Sequence, residues 1–113
     1  MAVLKRYFGS PLLEISNGTI KEYFGKNLYQ IQGNVVKEYF GKPLFEIDGD
    51  RIKRYFGSPV LEVKNGVVKR YFGSAIAEIK GSTIKEYFGS PLYEIQGFVS
   101  HTELMALIAI LFA

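Results

Sequence analysis

The stretch Thr19-Ile20-Lys21-Glu22-Tyr23-Phe24-Gly25-Lys26-Asn27-Leu28-Tyr29-Gln30-Ile31-Gln32-Gly33-Asn34 is one of six copies of a sixteen-residue unit. Every copy contains the tripeptide Tyr-Phe-Gly, and the interval between successive copies never changes. The tripeptides begin at Tyr7, Tyr23, Tyr39, Tyr55, Tyr71 and Tyr87. A strict period without insertions indicates one small structural unit that is repeated along the chain.

Two pairs of turn-forming residues divide each unit. The second pair is Asn17-Gly18, Gly33-Asn34, Gly49-Asp50, Asn65-Gly66 or Gly81-Ser82. Asn-Gly is typical of a type I′ turn, and a pair that begins with glycine is typical of a type II′ turn; both close two-residue hairpins. The first pair is Gly-Ser or Gly-Lys, which predicts a second type II′ turn with positive φ at glycines such as Gly57 and Gly73.

Two-residue turns that alternate with six-residue segments predict an all-β, antiparallel up-and-down meander of twelve strands, from residues 3–8 to residues 91–96. Four of these strands begin with Pro11, Pro43, Pro59 and Pro91, where a missing N–H is tolerated. One alternative is a β-solenoid, in which the lysine of every unit would stack on the next in a like-charge ladder. The meander instead sets Lys21 beside Glu14, and we therefore favour it.

If the strands pair residue for residue across each two-residue turn, without a bulge (flush pairing), then Ile20, Glu22, Phe24 and their cross-strand neighbours share one face, which we take as the buried face. That face then carries a charge row made of Arg6, Glu22, Glu38, Arg54, Arg70 and Glu86. Charges inside a sheet are costly unless they are paired. Two interpretations stay open: the row faces inward as Arg–Glu pairs, or a β-bulge near Glu22-Tyr23 turns it outward. We favour the bulge, which would also supply the stagger that a closed barrel needs.

The last fourteen residues break the repeat and predict a helix. Ser100 and Glu103 form a capping box, and Val99 with Leu104 is placed for a hydrophobic staple. The helix is apolar on every side and must therefore be surrounded. A closed barrel of twelve strands has a radius of about 11–12 Å, which leaves room for one helix. We predict a single domain, with residues 1–97 as the barrel and residues 100–113 inside it; the alternative is an open rolled sheet capped by the helix.

The composition narrows the classes of function. The chain has no cysteine, so disulfides and thiolate metal sites are excluded. A net charge of +3, from 14 basic and 11 acidic residues, is too small to indicate a nucleic-acid binder. The chain runs from Met1 directly into the repeat without a signal peptide, which favours a cytoplasmic location. The apolar run Leu104–Ala113 is too short to span a bilayer, so contact with a membrane is expected only through this segment.

No residue is predicted to be catalytic, to bind a cofactor or to bind a metal. His101 is the only histidine, and we interpret it as a surface residue of the first helical turn. Asp48 and Asp50 flank Gly49, where they are explained by turn formation rather than by a cation site. The row of tyrosines and lysines resembles a nucleic-acid surface, but each lysine has a Glu or Gln across the strand. Catalysis usually needs one asymmetric set of residues, and repeats do not supply it.

Three hypotheses of function follow from these observations. The favoured one is a non-enzymatic structural or protein-interaction module, built by duplication of a hairpin in evolution or by design, which binds a protein partner or itself. The second is a carrier of small apolar ligands, in which the ligand competes with the helix for the interior. The third is a membrane-associating protein that uses the apolar C-terminal segment.

Overall fold

The computed structural model describes every residue from Met1 to Ala113. Twelve strands precede one helix: β1 (Ala2–Arg6), β2 (Pro11–Ser16), β3 (Thr19–Glu22), β4 (Asn27–Gln32), β5 (Val35–Glu38), β6 (Pro43–Asp48), β7 (Arg51–Arg54), β8 (Pro59–Lys64), β9 (Val67–Arg70), β10 (Ala75–Lys80), β11 (Thr83–Glu86), β12 (Pro91–Gln96) and α1 (His101–Phe112). The even-numbered strands have the predicted six residues. The odd-numbered strands have only four or five, because the Tyr-Phe pair that follows them belongs to a turn.

The sheet closes on itself. Every strand pairs antiparallel with its neighbours in the chain, and β1 completes the circle by pairing with β12. In this closing pair Leu4 lies opposite Ile95 and Lys5 lies opposite Glu94. The predicted barrel of hairpin repeats around a C-terminal helix is confirmed, and the solenoid and the open sheet are excluded. Closure leaves no unpaired strand edge.

The short turns between hairpins have the predicted conformations. Asn17 and Gly18 both have positive φ, at 50° and 79°, which is the type I′ pattern. In the next such turn Gly33 has φ of 61° and Asn34 is not positive, which is the type II′ pattern. All turns of this kind lie at one end of the barrel, here called the short-turn end. The opposite end carries the Tyr-Phe-Gly turns and is called the Tyr-Phe-Gly end.

A β-bulge occurs in each of the six hairpins. In the second, Ile20 lies opposite Tyr29 and Lys21 lies opposite Asn27, so Leu28 is an extra residue. The equivalent extra residues elsewhere are Leu12, Leu44, Val60, Ile76 and Leu92. A bulge in every repeat is confirmed. It falls on the even-numbered strand, however, and not at the Glu22-Tyr23 position where we expected it.

The Tyr-Phe-Gly turn differs from the predicted two-residue type II′ turn. The N–H of Gly25 donates to the carbonyl of Glu22 at 2.9 Å, and the N–H of Glu22 donates to the carbonyl of Lys26 at 2.9 Å. The positive φ is at the phenylalanine, with Phe24 at 55°, and the positive φ predicted for glycines of this turn is wrong. Glycine is needed for space instead, because a Cβ on Gly25 would lie 2.7 Å from the Cβ of Glu22.

The bulge and the longer turn also correct the predicted faces. Ile20 is fully buried, as expected for the inner face. Glu22 is exposed, and Phe24 is 82% exposed, although flush pairing placed both inside. All six members of the charge row, from Arg6 to Glu86, are exposed. Of the two interpretations of this row, the outward one is therefore correct.

The helix α1 is enclosed by the barrel. The five consecutive residues from Met105 to Ala109 are each 0–1% exposed. Successive helical residues are about 100° apart, so five of them point in every direction around the axis. The predicted capping box is present: the N–H of Glu103 donates to Ser100 Oγ at 3.1 Å, and the N–H of Ser100 donates to Glu103 Oε1 at 2.9 Å. α1 is not long and apolar enough to cross a membrane.

The helix runs along the barrel axis from one end to the other. The molecule is a flat disc of 37 × 33 × 17 Å, and twelve helical residues span about 18 Å. The first helical turn lies at the short-turn end, where the N–H of Gly18 donates to Glu103 Oε2 at 3.3 Å. The last helical residues, Ile110 to Phe112, therefore reach the Tyr-Phe-Gly end, and they are only partly buried there.

Candidate interaction surface

Six exposed phenylalanines surround the Tyr-Phe-Gly end. These residues, here called the Phe ring, are Phe8, Phe24, Phe40, Phe56, Phe72 and Phe88. Their side chains are 82–90% exposed. Single apolar residues on a surface are ordinary, but a repeated set of large ones indicates a surface that another molecule covers.

Each phenylalanine is held in place by its own turn. Its ring packs on the ring of the preceding tyrosine, with centroids 4.3–4.4 Å apart. The tyrosine is fixed in turn by its backbone: the N–H of Tyr23 donates to the carbonyl of Leu12, the bulge residue of the preceding hairpin, at 3.0 Å. The backbone of each turn is thus tied to the preceding hairpin, and each phenylalanine stacks on one tyrosine, so the Phe ring presents six aromatic side chains in equivalent positions.

The phenylalanines of the ring are strained as well as exposed. Their φ values are between 53° and 56°. This left-handed region costs a residue with a Cβ about 1–2 kcal/mol. An exposed phenylalanine regains little of that cost by burial. The same strained conformation recurs at the phenylalanine of all six turns, which indicates that this residue has a role other than folding.

The variation between repeats also indicates that the phenylalanines have a role other than folding. The bulge residue changes among Leu28, Val60 and Ile76, and the short turn changes from Asn17-Gly18 to Gly81-Ser82. The Tyr-Phe-Gly turn is unchanged in all six copies. The glycine is required by the space beside Glu22, but no packing requirement of the barrel explains the phenylalanine. The sequence offered this signal, and we missed it because flush pairing placed the phenylalanines inside.

The charge row lies beside the Phe ring, since each of its members is the last residue of an odd-numbered strand. None of the six forms an ion pair within the chain. Glu22 and Glu86 each accept one backbone N–H, from Lys26 at 3.4 Å and from Ser90 at 3.3 Å. The turns themselves add Lys26 and Lys42, which are also exposed and form no ion pair, so the Tyr-Phe-Gly end exposes five positive and three negative side chains that lack a partner of opposite charge.

A second group of charges, here called the outer Lys–Glu belt, contains Lys5, Lys21, Lys37, Lys53, Lys69 and Lys85 with Glu14, Glu46, Glu62, Glu78 and Glu94. Four of its lysines form ion pairs with glutamates of the belt. The shortest pairs join Lys21 Nζ to Glu14 Oε1 and Lys85 Nζ to Glu78 Oε1, both at 3.2 Å. Glu14 is only 5% exposed. The N–H of Phe24, which donates to Glu14 Oε1 at 3.2 Å, and the ammonium of Lys21 together hold the pKa of the Glu14 carboxyl below its ordinary value. Because glutamates alternate with lysines around the belt, it presents no continuous positive surface to a polyanion.

Removing one belt pair should have little effect on stability. Lys53 Nζ lies 3.5 Å from Glu46 Oε1, and both side chains are about 30% exposed. Pairs of this kind contribute about 0–1 kcal/mol. We expect Lys53→Ala to lower the free energy of unfolding, measured by urea denaturation, by no more than that. A loss above about 3 kcal/mol would mean that the pair behaves as a buried one.

The Phe ring is expected to contribute little to stability. Asparagine adopts positive φ more readily than phenylalanine, which offsets the loss of the Tyr55–Phe56 stacking, about 0.5–1.5 kcal/mol. We therefore expect Phe56→Asn to leave the free energy of unfolding within about 1 kcal/mol of the original. The matched control is Phe45→Asn, because Phe45 packs against the core and its replacement should be clearly destabilising. Equal losses in the two variants would refute the assignment of Phe56 to the surface.

The other candidate residues lie at the short-turn end, away from the Phe ring. His101 is exposed, and its Nε2 lies 3.5 Å from the carbonyl of Gly49, so the helix start brings it to the turn that holds Asp48 and Asp50. No three of the His, Asp and Glu side chains are grouped so that they could hold a metal ion. A cavity of about 270 Å³ lies beside the helix start, lined by Ile95, Leu104 and five other residues. This volume is below the roughly 300–1,000 Å³ of typical ligand sites.

The chain was compared with known proteins in three ways. No protein-family model, no curated protein and no solved structure matches it.

Proposed function

We propose that this protein is an interaction module that binds a protein partner through the Phe ring. The observation that carries the proposal is that all six phenylalanines are exposed and strained at once, although Asn or Gly at the same position would relieve the strain. A surface that keeps costly apolar groups in water is best explained by a state in which those groups are covered.

The side chains at the Tyr-Phe-Gly end support a protein as the partner. Tyrosine, phenylalanine and arginine are enriched in the cores of protein–protein interfaces. Here six tyrosines, six phenylalanines and three arginines lie at one end of the barrel. The charge row sums to zero and the turns add only Lys26 and Lys42, so this end carries no dense positive field of the kind that attracts a nucleic acid or an anionic lipid surface. The proposal contains no catalytic step, because repeated hairpins supply equivalent positions rather than one asymmetric constellation.

The other two hypotheses have less support. A carrier of apolar ligands would have to expel α1, whose central residues fill the interior. A membrane-associating protein that inserts the whole C-terminal segment into lipid would have to withdraw the same residues from the barrel. Neither hypothesis accounts for the Phe ring. A protein-interaction module does, without any rearrangement of the barrel.

A photo-crosslinking experiment tests the proposal. A benzophenone amino acid replaces Phe56, and a matched control places it at Phe98, which lies near the short-turn end and is equally exposed, 85% against 86%. The protein is irradiated in the cells that express it, and adducts are identified by mass spectrometry. We expect discrete protein adducts from position 56 and few from position 98.

Two outcomes would contradict the proposal. Equal and unselective adducts at both positions would mean that the Phe ring is no more than an exposed surface. Lipid adducts at position 56, together with flotation of the intact protein on phosphatidylcholine vesicles, would assign the ring to a membrane instead. Loss of that flotation in Phe56→Asn would confirm which residue carries the lipid contact.

A further inference from the structure

We propose that the partner is a second copy of this chain, docked with its Tyr-Phe-Gly end against the Tyr-Phe-Gly end of the first. The two discs would lie face to face in a two-fold symmetric dimer, in which the same patch serves both copies. This inference rests on the proposed function of the Phe ring and adds the identity and orientation of the partner.

The area of the Phe ring is sufficient for such a dimer. Each of its six side chains is 82–90% exposed, and a covered aromatic side chain buries about 150–250 Å². The ring alone therefore offers on the order of 1,000 Å² per copy. A stable interface needs about 800 Å² per partner. The half-buried apolar residues at the end of α1 lie on the same side of the disc and add to this area.

The charge row favours a second copy over an acidic or a basic partner. An acidic partner would pair with the three arginines of the row but would repel its three glutamates. A basic partner would do the reverse. A second copy brings an equal number of arginines and glutamates, and the two turn lysines, Lys26 and Lys42, meet Ser74 and Ser58 rather than a like charge in the register derived below. Such self-complementarity is what a two-fold interface requires.

The order of the charges also fixes how the two rings are turned relative to each other. Around the barrel the row reads Arg6, Glu22, Glu38, Arg54, Arg70, Glu86. When the second copy faces the first, its charge row runs in the opposite direction around the shared barrel axis. The second copy can then be turned about this axis in six steps of one hairpin each, which gives six possible registers. In five of them at least one arginine meets an arginine and one glutamate meets a glutamate.

The remaining rotation pairs every arginine with a glutamate. It sets Arg6 opposite Glu86, Glu22 opposite Arg70, and Glu38 opposite Arg54. Each pair occurs twice because of the two-fold axis, which passes between hairpins. In this register the first hairpin of one copy meets the sixth of the other, the second meets the fifth, and the third meets the fourth.

The oligomeric state is the first test. Sedimentation velocity of the purified chain up to ~1 mM should show a species of twice the mass of one chain that weakens in high salt. Replacing all six phenylalanines of the ring by Asn should leave a folded monomer, while Phe98→Asn should leave the dimer unchanged. A chain that stays monomeric at every concentration would overturn the inference.

Charge substitutions test the pairing. Arg54→Glu sets two carboxylates opposite each other at two places in the dimer and should weaken it about tenfold or more. Adding Glu38→Arg restores full pairing in the same register and should restore the affinity. Lys80→Glu changes the net charge equally but lies beside a short turn, so it should have no such effect. An equal response to Arg54→Glu and Lys80→Glu would overturn the pairing.

Engineered cysteines test the register, since the chain has none of its own. A mixture of Lys42→Cys and Ser58→Cys variants should form a mixed disulfide across the interface, because the third and fourth hairpins face each other. A mixture of Ser10→Cys and Ser58→Cys should not, because the first and fourth hairpins do not. Equal yields in the two mixtures would exclude this register.

The two proposals fail in different ways. A chain that remains monomeric in every test above, but forms photo-adducts with other proteins from position 56, would refute self-association and retain the proposed function. A chain that forms neither dimers nor selective adducts would refute both.

Discussion

Removal of the residues after Gly97 should abolish the folded barrel. Met105, Leu107 and Ile108 are 0–1% exposed, and four further apolar side chains of α1 are partly buried. Complete burial of one such side chain is worth about 1.5–3 kcal/mol, so together they contribute on the order of 10 kcal/mol. A small domain has a net stability of only about 5–15 kcal/mol. Without α1 the barrel would enclose an apolar void, and we expect an unfolded or aggregated chain by circular dichroism and thermal melting.

A point substitution separates this loss from a simple effect of chain length. Leu107→Asp keeps all the residues but places a carboxylate where the side chain is fully buried, and it should prevent folding in the same way. His101→Ala, in the exposed first turn of the same helix, should leave the melting temperature nearly unchanged. A truncated chain that stays soluble with an unaltered melting temperature would show that α1 is not the core.

The second large effect is expected at the barrel wall. Leu61 is 1% exposed and lies opposite Ile52, so Leu61→Ala would leave a cavity in the packed interior. Changes of this kind cost about 2–5 kcal/mol. We expect a loss of this size in the free energy of unfolding, measured by urea denaturation with an unchanged m-value.

Leu44 provides the matched control for Leu61. It is the extra residue of a β-bulge on the preceding even-numbered strand, and it is only half-buried. Leu44→Ala removes the same atoms and should cost clearly less, about 1 kcal/mol, because solvent or neighbouring side chains can fill the space. A larger loss from Leu44→Ala than from Leu61→Ala would mean that the inner and outer faces are reversed.

Local rules of sequence were sufficient for much of the fold. Asn17-Gly18 predicted a type I′ turn because only a few residues adopt positive φ at low cost. Ser100 and Glu103 predicted the helix start because a capping box satisfies two backbone donors within one turn. An all-round apolar helix predicted a closed barrel, because only complete enclosure keeps such a helix from water. Each inference depends on residues close together in the chain or on a strict period.

The candidate site depended on how the strands pair, both within a hairpin and between neighbouring hairpins. Sequence reasoning placed the positive φ at glycine, the residue that tolerates it best, and placed Phe24 inside with the other large apolar residues. The tertiary structure decided otherwise, because the N–H of Tyr23 bonds to the carbonyl of Leu12 in the preceding hairpin and the bulge shifts the register beside it. Phe24 then takes the strained position and faces solvent. The period and the turns were therefore determined by the sequence alone. The exposure of the Phe ring and the charge row was decided by the bulge and the longer turn within each hairpin, together with the hydrogen bond from Tyr23 to the preceding hairpin, because the flush register that the turn residues predict is not the one that forms.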